Sequence, residues 1–439
     1  MNPLIRLLAL LAALCRLSPA ANGPNIVFVL ADDMGVGDTS SFGGKIAITP
    51  HLERLAREGT RFTHYYSASP ICSPSRCGLI TGQYPGRWKI TSYLQSRAGN
   101  RQCEQVDFLD VTAPLLPRVL RNAGYATAHI GKWHLGGGRD VVDPPKFEAY
   151  GYDLGLGTYE SPEPAAALGL KSVPWGKEIE PQQVPRHDRT RWMVDQTIAF
   201  LKSHSAQPCF VNLWLDDTHT PWVPATAENS KDEGRSNLIK IITEMDRQIG
   251  RLMDAVPANT MLIFASDNGA LPTFDGERNS GMRGSKLSLY EGGIRLPFIV
   301  RWPGKIPAAR TDDSTVLHAV DMLPTLCAIA HATPPAGDGE DLSAALLGKA
   351  ITRSKPLFWE YGRNDKSFVY PKVPADRSPN IAMREGTWKF LINADGSAEE
   401  LYDVSQDPTE KTNLVSTRPE IAEKMKAAAL HWRQSLPRM

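Results

Sequence analysis

The chain has 439 residues, 42% of them hydrophobic, which is too long and too apolar for a peptide module or a disordered tail. Forty-nine Lys and Arg against 48 Asp and Glu give a formal charge of +1, leaving no support for a nucleic-acid or polyanion binder that works through global charge. Six Cys are too few for a disulfide scaffold, while 35 Gly and 34 Pro indicate many loops around a packed core.

Arg6, the apolar run 7–15 and the small residues Ser18-Pro19-Ala20-Ala21 predict a signal peptide over 1–20, cut after Ala20. The run is too short to span a bilayer, and no later segment is apolar over a spanning length, so a periplasmic or secreted protein is expected. Cleavage leaves Cys72, Cys77, Cys103, Cys209 and Cys327, an odd number that needs a reason in an oxidising compartment. Cys209 in a strand-like run and Cys327 in an apolar helix-like run are expected as buried thiols.

The run 25–31 is continuously apolar after Asn25 and ends in Asp32-Asp33, the pattern of a central parallel strand followed by a working loop. An amphipathic helix follows at 50–58, with a β-like run at 62–66 and a helix-like stretch from Cys77. Helix then strand recurs three times: 115–122 with 125–130, 189–202 with 209–215, and 238–253 with 261–265. These strands end in Gly131-Lys132-Trp133-His134, in Asp216-Asp217-Thr218-His219 and in Ser266-Asp267-Asn268-Gly269. The alternation predicts an α/β fold with a large, doubly wound, mostly parallel sheet over 22–350, whose strand ends share one edge where ligands bind. Beyond it, short strands at 355–361, 380–384 and 387–392 and a closing helix at 419–433 predict a C-terminal α+β subdomain over 351–439.

Asp32, Asp33, Asp267 and Asn268 form an oxygen-only ligand set, which suits Ca²⁺ or Mg²⁺ better than zinc. Three neighbouring carboxylates repel one another unless a cation or a shared proton compensates. Cys72 opens Cys-Ser-Pro-Ser-Arg near a helix start, where the dipole favours a low-pKa thiol, and Arg76 lies on the same helical face. Lys132 and His134, two apart, project to one side if that segment is extended, and His219 and Lys286 complete an electropositive pocket for a tetrahedral oxyanion. Trp88, Tyr93, Tyr159, Trp175 and Trp222 are candidates to stack on a sugar or aryl ring, and Arg87, Arg97, Arg278 and Arg283 to read a carboxylate or second sulfate.

These residues resemble the type I, formylglycine-dependent sulfatase family of the alkaline-phosphatase-like superfamily. The resemblance rests on Pro24-Asn25-Ile26-Val27 with Ala31-Asp32-Asp33-Met34-Gly35, on Cys72-Ser73-Pro74-Ser75-Arg76 with Leu79-Ile80-Thr81-Gly82, and on Gly131-Lys132-Trp133-His134-Leu135-Gly136. Glu291-Gly292-Gly293-Ile294-Arg295, and Leu401-Tyr402-Asp403 with Asp407-Pro408, extend it over about 24–414. It implies hydrolysis of sulfate monoesters, on a carbohydrate in preference to an aryl sulfate, by Cys72 converted to formylglycine (3-oxoalanine) through a formylglycine-generating or anaerobic sulfatase-maturating enzyme. It further implies Ca²⁺, with Mg²⁺ as the alternative, held by Asp32, Asp33, Asp267, Asn268 and the converted residue 72. Arg76 and Lys132 would hold the diol and sulfate oxygens, Lys286 and His219 would serve the leaving oxygen, and His134 would be the base for the second half-reaction. Conversion of Cys72 would also account for the odd thiol count. Two positions depart from the family pattern: Thr218 stands where Pro often precedes the substrate-facing His, and Cys77 where a small residue is usual. A phosphate or phosphonate ester hydrolase and an inactive sulfated-glycan binder are the competing readings.

Overall fold

The computed structural model describes residues 23–168, 184–226 and 234–437, so the expected signal peptide and Trp175 lie outside the described residues. Strand β1 (Asn25–Ala31) is buried on both faces, with Ile26, Phe28 and Leu30 in one apolar cluster and Val27, Val29 and Ala31 in the other. A strand covered on both sides needs apolar residues at every position, which is why it reads as a continuous run.

It pairs in parallel with β5 (Cys209–Trp214) and β6 (Thr260–Ser266). Beyond β5 lie β3 (Ala126–Gly131) and β4 (Leu154–Gly157), also parallel. Beyond β6, β7 (Arg295–Arg301) runs antiparallel to both β6 and β2 (Thr60–Tyr66), and β8 (Arg310–Asp312) and β9 (Leu317–His318) flank β2. The order is β4-β3-β5-β1-β6-β7-β2-β8, a mostly parallel sheet as the alternation predicts.

Helices α1 (Pro50–Arg57), α4 (Arg189–Ser203) and α5 (Arg235–Ala255) cover one face through Leu52, Met193, Leu238 and Met245. The other face carries α2 (Cys72–Thr81), α3 (Leu116–Asn122) and α6 (Met322–Ile329), and α7 (Pro419–Ser435), packed on the C-terminal strands, joins the same apolar cluster. Pro in the first turn of α1, α3 and α7 sets their entry without losing a hydrogen bond, and Gly82, at φ 64°, ends α2.

The C-terminal strands β10 (Leu357–Glu360), β11 (Ile381–Glu385), β12 (Trp388–Ile392) and β13 (Glu400–Asp403) form an antiparallel sheet in chain order. Ile381, Met383, Phe390 and Leu401 on one face join Met425 and Ala429 of α7 in the main core. On the other face Trp359, Ala382, Leu391 and Tyr402 pack with Tyr66, Ile71, Cys72 and Tyr290. Among the described residues no helix is long and apolar enough to cross a membrane.

Candidate active site

Strands β3, β5, β1 and β6 are adjacent and parallel, so their C-terminal ends fall on one edge. That edge brings together Lys132 and His134, the Asp216-to-His219 loop, Asp32 and Asp33, and Asp267 and Asn268. The N-terminus of α2 adds Cys72 and Arg76, and the loop before β7 adds Lys286. All ten candidate site residues therefore lie in one cluster, and all but His219 are buried.

Each carboxylate has a basic partner. Lys132 Nζ lies 2.5 Å from Asp32 Oδ2, Lys286 Nζ 2.7 Å from Asp33 Oδ2, and Arg76 Nε donates to Asp267 Oδ2 at 2.9 Å. Mutual carboxylate repulsion is thus answered largely within the chain. Cys72 Sγ sits 3.6 Å from Asp32 Oδ1, and ligand atoms of Asp32, Cys72 and Asp267 lie within 4.8 Å of one another, as do those of Asp33, Cys72 and His219. Asn268 Nδ2 donates to Asp33 Oδ1 at 2.7 Å, while its buried Oδ1 has no hydrogen-bond partner. An unsatisfied amide oxygen beside three carboxylates is an acceptor-only corner that fits a hard cation.

The two histidines are oriented by backbone carbonyls. His134 Nε2 lies 3.1 Å from Leu94 O, so it carries the proton, and buried Nδ1 keeps its lone pair with no hydrogen-bond partner. Burial first, then the charges of Lys132 and Arg76, hold this imidazole well below its ordinary pKa. His219 is the mirror case: Nδ1 lies 2.7 Å from Thr220 O, and Nε2 faces Asp33 Oδ2 at 3.6 Å. Burial and Lys286 lower its pKa to about 3. Burial opposes the Asp33 carboxylate, yet Lys286, His219 and Lys132 override it and hold the group well below the carboxylate range. Asp267 is pushed up to about 6 by burial and by Asp32.

Several expectations need correction. The Cys72 thiol is not acidic: burial raises it to about 12, outweighing Lys132 and Lys286. The 131–135 segment is not extended, with φ 109° at Gly131 and 55° at His134, although both side chains still reach the site. Arg76 anchors Asp267 and the Lys132 carbonyl, its Nη1 donating to Lys132 O at 2.9 Å, instead of clamping Cys72 directly. Thr218 in place of Pro uses its own N–H, which donates to Asp32 O at 2.7 Å, while its hydroxyl lies 3.1 Å from the carbonyls of both Asp32 and Asp33. By contrast, Cys209 and Cys327 are buried free thiols as expected, and Cys77 and Cys103 are free and buried too.

The four arginines expected to read substrate are engaged elsewhere. Arg278 is fully buried against Asp38, with Nη2 donating to Asp33 O at 2.9 Å, so it braces the aspartate loop. Arg87 pairs with Asp338, Arg97 with Asp107 and Asp143, and Arg283 lies on the Tyr290 ring and donates to Tyr402. Trp222 stacks on Arg278, and Trp88 donates to Gln83. Tyr159 does reach the site: its ring meets His134 at 4.7 Å and Lys132 Nζ at 5.4 Å. Ser73 Oγ accepts from Leu94 N and so positions the carbonyl that orients His134; its place one residue after Cys72 was the only signal for it.

A sulfatase family model matches residues 24–332, and one for the C-terminal region of N-sulphoglucosamine sulphohydrolase matches 284–434. The chain is 29% identical to N-acetylgalactosamine-6-O-sulfatase of Bacteroides thetaiotaomicron, over 92% of this chain and 91% of that one. It is also 29% identical to human (Homo sapiens) arylsulfatase A, over 96% and 90%. The solved structure of Ps i-CgsB in complex with k-i-k-neocarrahexaose superposes with a TM-score of 0.75 at 26% identity, covering 95% of this chain and 94% of that chain.

Proposed function

Because the chain belongs to the sulfatase family and is a sulfuric ester hydrolase, we propose that it removes sulfate from a carbohydrate, using residue 72 as formylglycine beside a divalent cation. The observation that carries this reading is the convergence of Cys72, three carboxylates and three fixed cations at one strand edge, from the ends of β1 and β3, the start of α2 and the β6–β7 connection. A carbohydrate substrate is supported by the sugar sulfatase among its relatives and by the hexasaccharide bound in Ps i-CgsB.

Asp32, Asp33, Asp267 and Asn268 would hold the cation, Ca²⁺ by preference and Mg²⁺ as the alternative. When present, the cation polarises the sulfate and residue 72, as an aldehyde hydrate, supplies the oxygen nucleophile. The side chains contribute three negative charges from Asp32, Asp33 and Asp267 and three positive ones from Arg76, Lys132 and Lys286, so a divalent ion leaves the site net positive for a monoanionic ester. Asp267 accepts the proton of the attacking hydroxyl, and Arg76 holds that carboxylate in place. Lys286 is a fixed ammonium that neutralises the leaving oxygen, and neutral His219, with its proton on Nδ1 committed to Thr220 O, keeps Nε2 turned to the site beside Asp33. His134 Nδ1 would take the proton of the second hydroxyl, so that the C=O forms as the C–O bond to sulfate breaks, releasing sulfate and restoring the aldehyde before the next turnover. A thiol with a pKa near 12 is a poor nucleophile at neutral pH, which supports conversion of Cys72 over use of the cysteine itself.

The test is chemical and kinetic. Peptide mapping of protein co-produced with a maturating enzyme should show an aldehyde in place of the thiol at 72, with sulfate released from defined sulfated saccharides. Cys72→Ser should lose multiple turnover by at least about 10³-fold, on the scale of nucleophile removals, because an alcohol offers no second hydroxyl for collapse. Sustained turnover by that variant, or an unmodified Cys72 in fully active protein that prefers phosphomonoesters, would overturn the reading.

A further inference from the structure

A tight turn at 138–141, closed by Val141 N donating to Gly138 O at 2.9 Å, carries Arg139 to the rim of the site. Arg97 secures this turn: its N–H donates to Asp140 Oδ1 at 2.9 Å and its Nε to Asp140 O at 3.3 Å. The guanidinium of Arg139 is oriented from behind, with Nε donating to Glu160 Oε1 at 2.6 Å and Nη2 to Tyr159 OH at 3.3 Å. Glu160 is 1% exposed and Arg139 27% exposed, so the carboxylate is the buried anchor and the arginine the presented group. Its Nη1 takes no partner among the described residues. Both residues hold left-handed backbone, φ 52° and 42°, uncommon for long side chains and maintained here by the Glu160 pair and the turn.

The position relative to the chemistry is set by short links. Tyr159, which Arg139 touches, packs on His134 and Lys132. Half-buried Tyr93, whose hydroxyl feels the charge of Arg139, precedes Leu94, which accepts from His134 Nε2 at its carbonyl and donates its N–H to Ser73 Oγ. Arg139 is thus linked to the cluster through a single ring: its Nη2 donates to Tyr159 OH, and Lys132 Nζ lies 5.4 Å from the centre of that ring.

We propose that Arg139 reads a second anionic group of the substrate, a carboxylate or a further sulfate on the sugar that bears or adjoins the scissile sulfate, with half-buried Tyr93 beside that sugar and buried Tyr159 holding the guanidinium from behind. A planar guanidinium whose rear edge is fixed by a buried carboxylate loses little freedom on binding and offers its outer edge to a two-oxygen acceptor. The subsite rests on the sulfated-carbohydrate reading above and names a feature of that substrate.

The experiment uses the mature full-length protein and three disaccharides of one backbone sharing the scissile sulfate: one with a neighbouring uronic acid, one with a second sulfate, one with neither. The readout is the ratio of kcat/KM for each doubly charged substrate to the singly charged one. The wild-type ratio should favour a doubly charged substrate, and Arg139→Gln should lower it about 10- to 150-fold, the value of a hydrogen bond to a charged group, chiefly through KM. Arg139→Lys should recover part of it. The uronic acid and disulfate arms say which anion is read. A wild-type ratio near one in both arms, or a ratio unchanged in Arg139→Gln, sinks the subsite while leaving sulfatase activity intact. If none of the three is turned over, the hydrolase reading fails, and the same ratios taken from Kd values on Cys72→Ala decide the subsite alone.

Discussion

At position 134 the imidazole is gripped from one side: Nε2–H is spent on Leu94 O, and Nδ1 is left bare in a buried site. A base that acts only in the second half-reaction should be dispensable for the first. His134→Ala is therefore expected to release about one equivalent of alcohol per enzyme in a burst and then turn over some 10²- to 10⁴-fold slower, the range of a general base; rapid-quench kinetics without a burst would remove that role. The residue types at the site were legible because hard-oxygen ligands, lysines and histidines gathered at predicted strand ends. Their environments were not. Cys72 reads as acidic from its helix terminus, but α2 is buried along its whole length, and desolvation outweighs the dipole. Arg278 reads as a substrate contact because sequence shows its charge and hides its partner, Asp38, 240 residues away.

Among the elements, the small sheet is coupled to the main one through a buried triad. Lys389 Nζ on β12 lies 3.0 Å from Glu291 Oε1 and 2.9 Å from Glu410 Oε1, and Tyr66 OH on β2 donates to Glu291 Oε2 at 2.7 Å. Burial and Glu291 set Glu410 up to about 7 even with Lys389 beside it, whereas Lys389 and nearby arginines outweigh burial and hold Glu291 at about 2. Lys389→Met would remove the ammonium between Glu291 and Glu410 and leave Glu410 buried without its basic partner, costing about 3–5 kcal/mol in denaturant unfolding; a loss within experimental error would show that the two sheets do not depend on this contact. Strand β7 shows why some elements were not legible. Arg295 to Arg301 contains Pro297, which argues against an interior strand, yet β7 lies between β6 and β2. Pro297 falls opposite the bulge in β2 between Phe62 and Tyr65, where register is lost and no ladder bond is required of it. Strand β1, by contrast, advertises itself because double-sided burial needs an unbroken apolar run.

Across the molecule, acid sensitivity follows from histidines kept neutral inside. His129 is enclosed by Trp133, Phe147, Tyr152 and Trp214, and burial, then Arg76, lowers it to about 3. His64 is lowered to about 4 by burial and by Arg295 and Arg384. A group whose folded pKa is depressed stabilises the fold fully above its unfolded pKa, near 6.5, and loses that contribution as pH falls toward the folded value. Glu410 acts in the opposite sense, its contribution fading as pH rises from about 4.5 to about 7. Tm should therefore fall as pH drops from 6.5 to 4, and His129→Phe should flatten that slope by filling the same aromatic cage with a group that does not titrate. An unchanged slope in that variant would place the acid sensitivity elsewhere.

Cys72 shares its packing cluster with Trp359, Leu391 and Tyr402, contributed by the last third of the chain, and only 2% of it is exposed. If residue 72 is converted as proposed, the enzyme that converts it would lose access once those late residues arrive. The active fraction of a preparation would then be set by a race between chemical conversion and closure of this cluster. Slowing synthesis of the C-terminal segment should then raise the yield of competent molecules without altering the rate constants of each one.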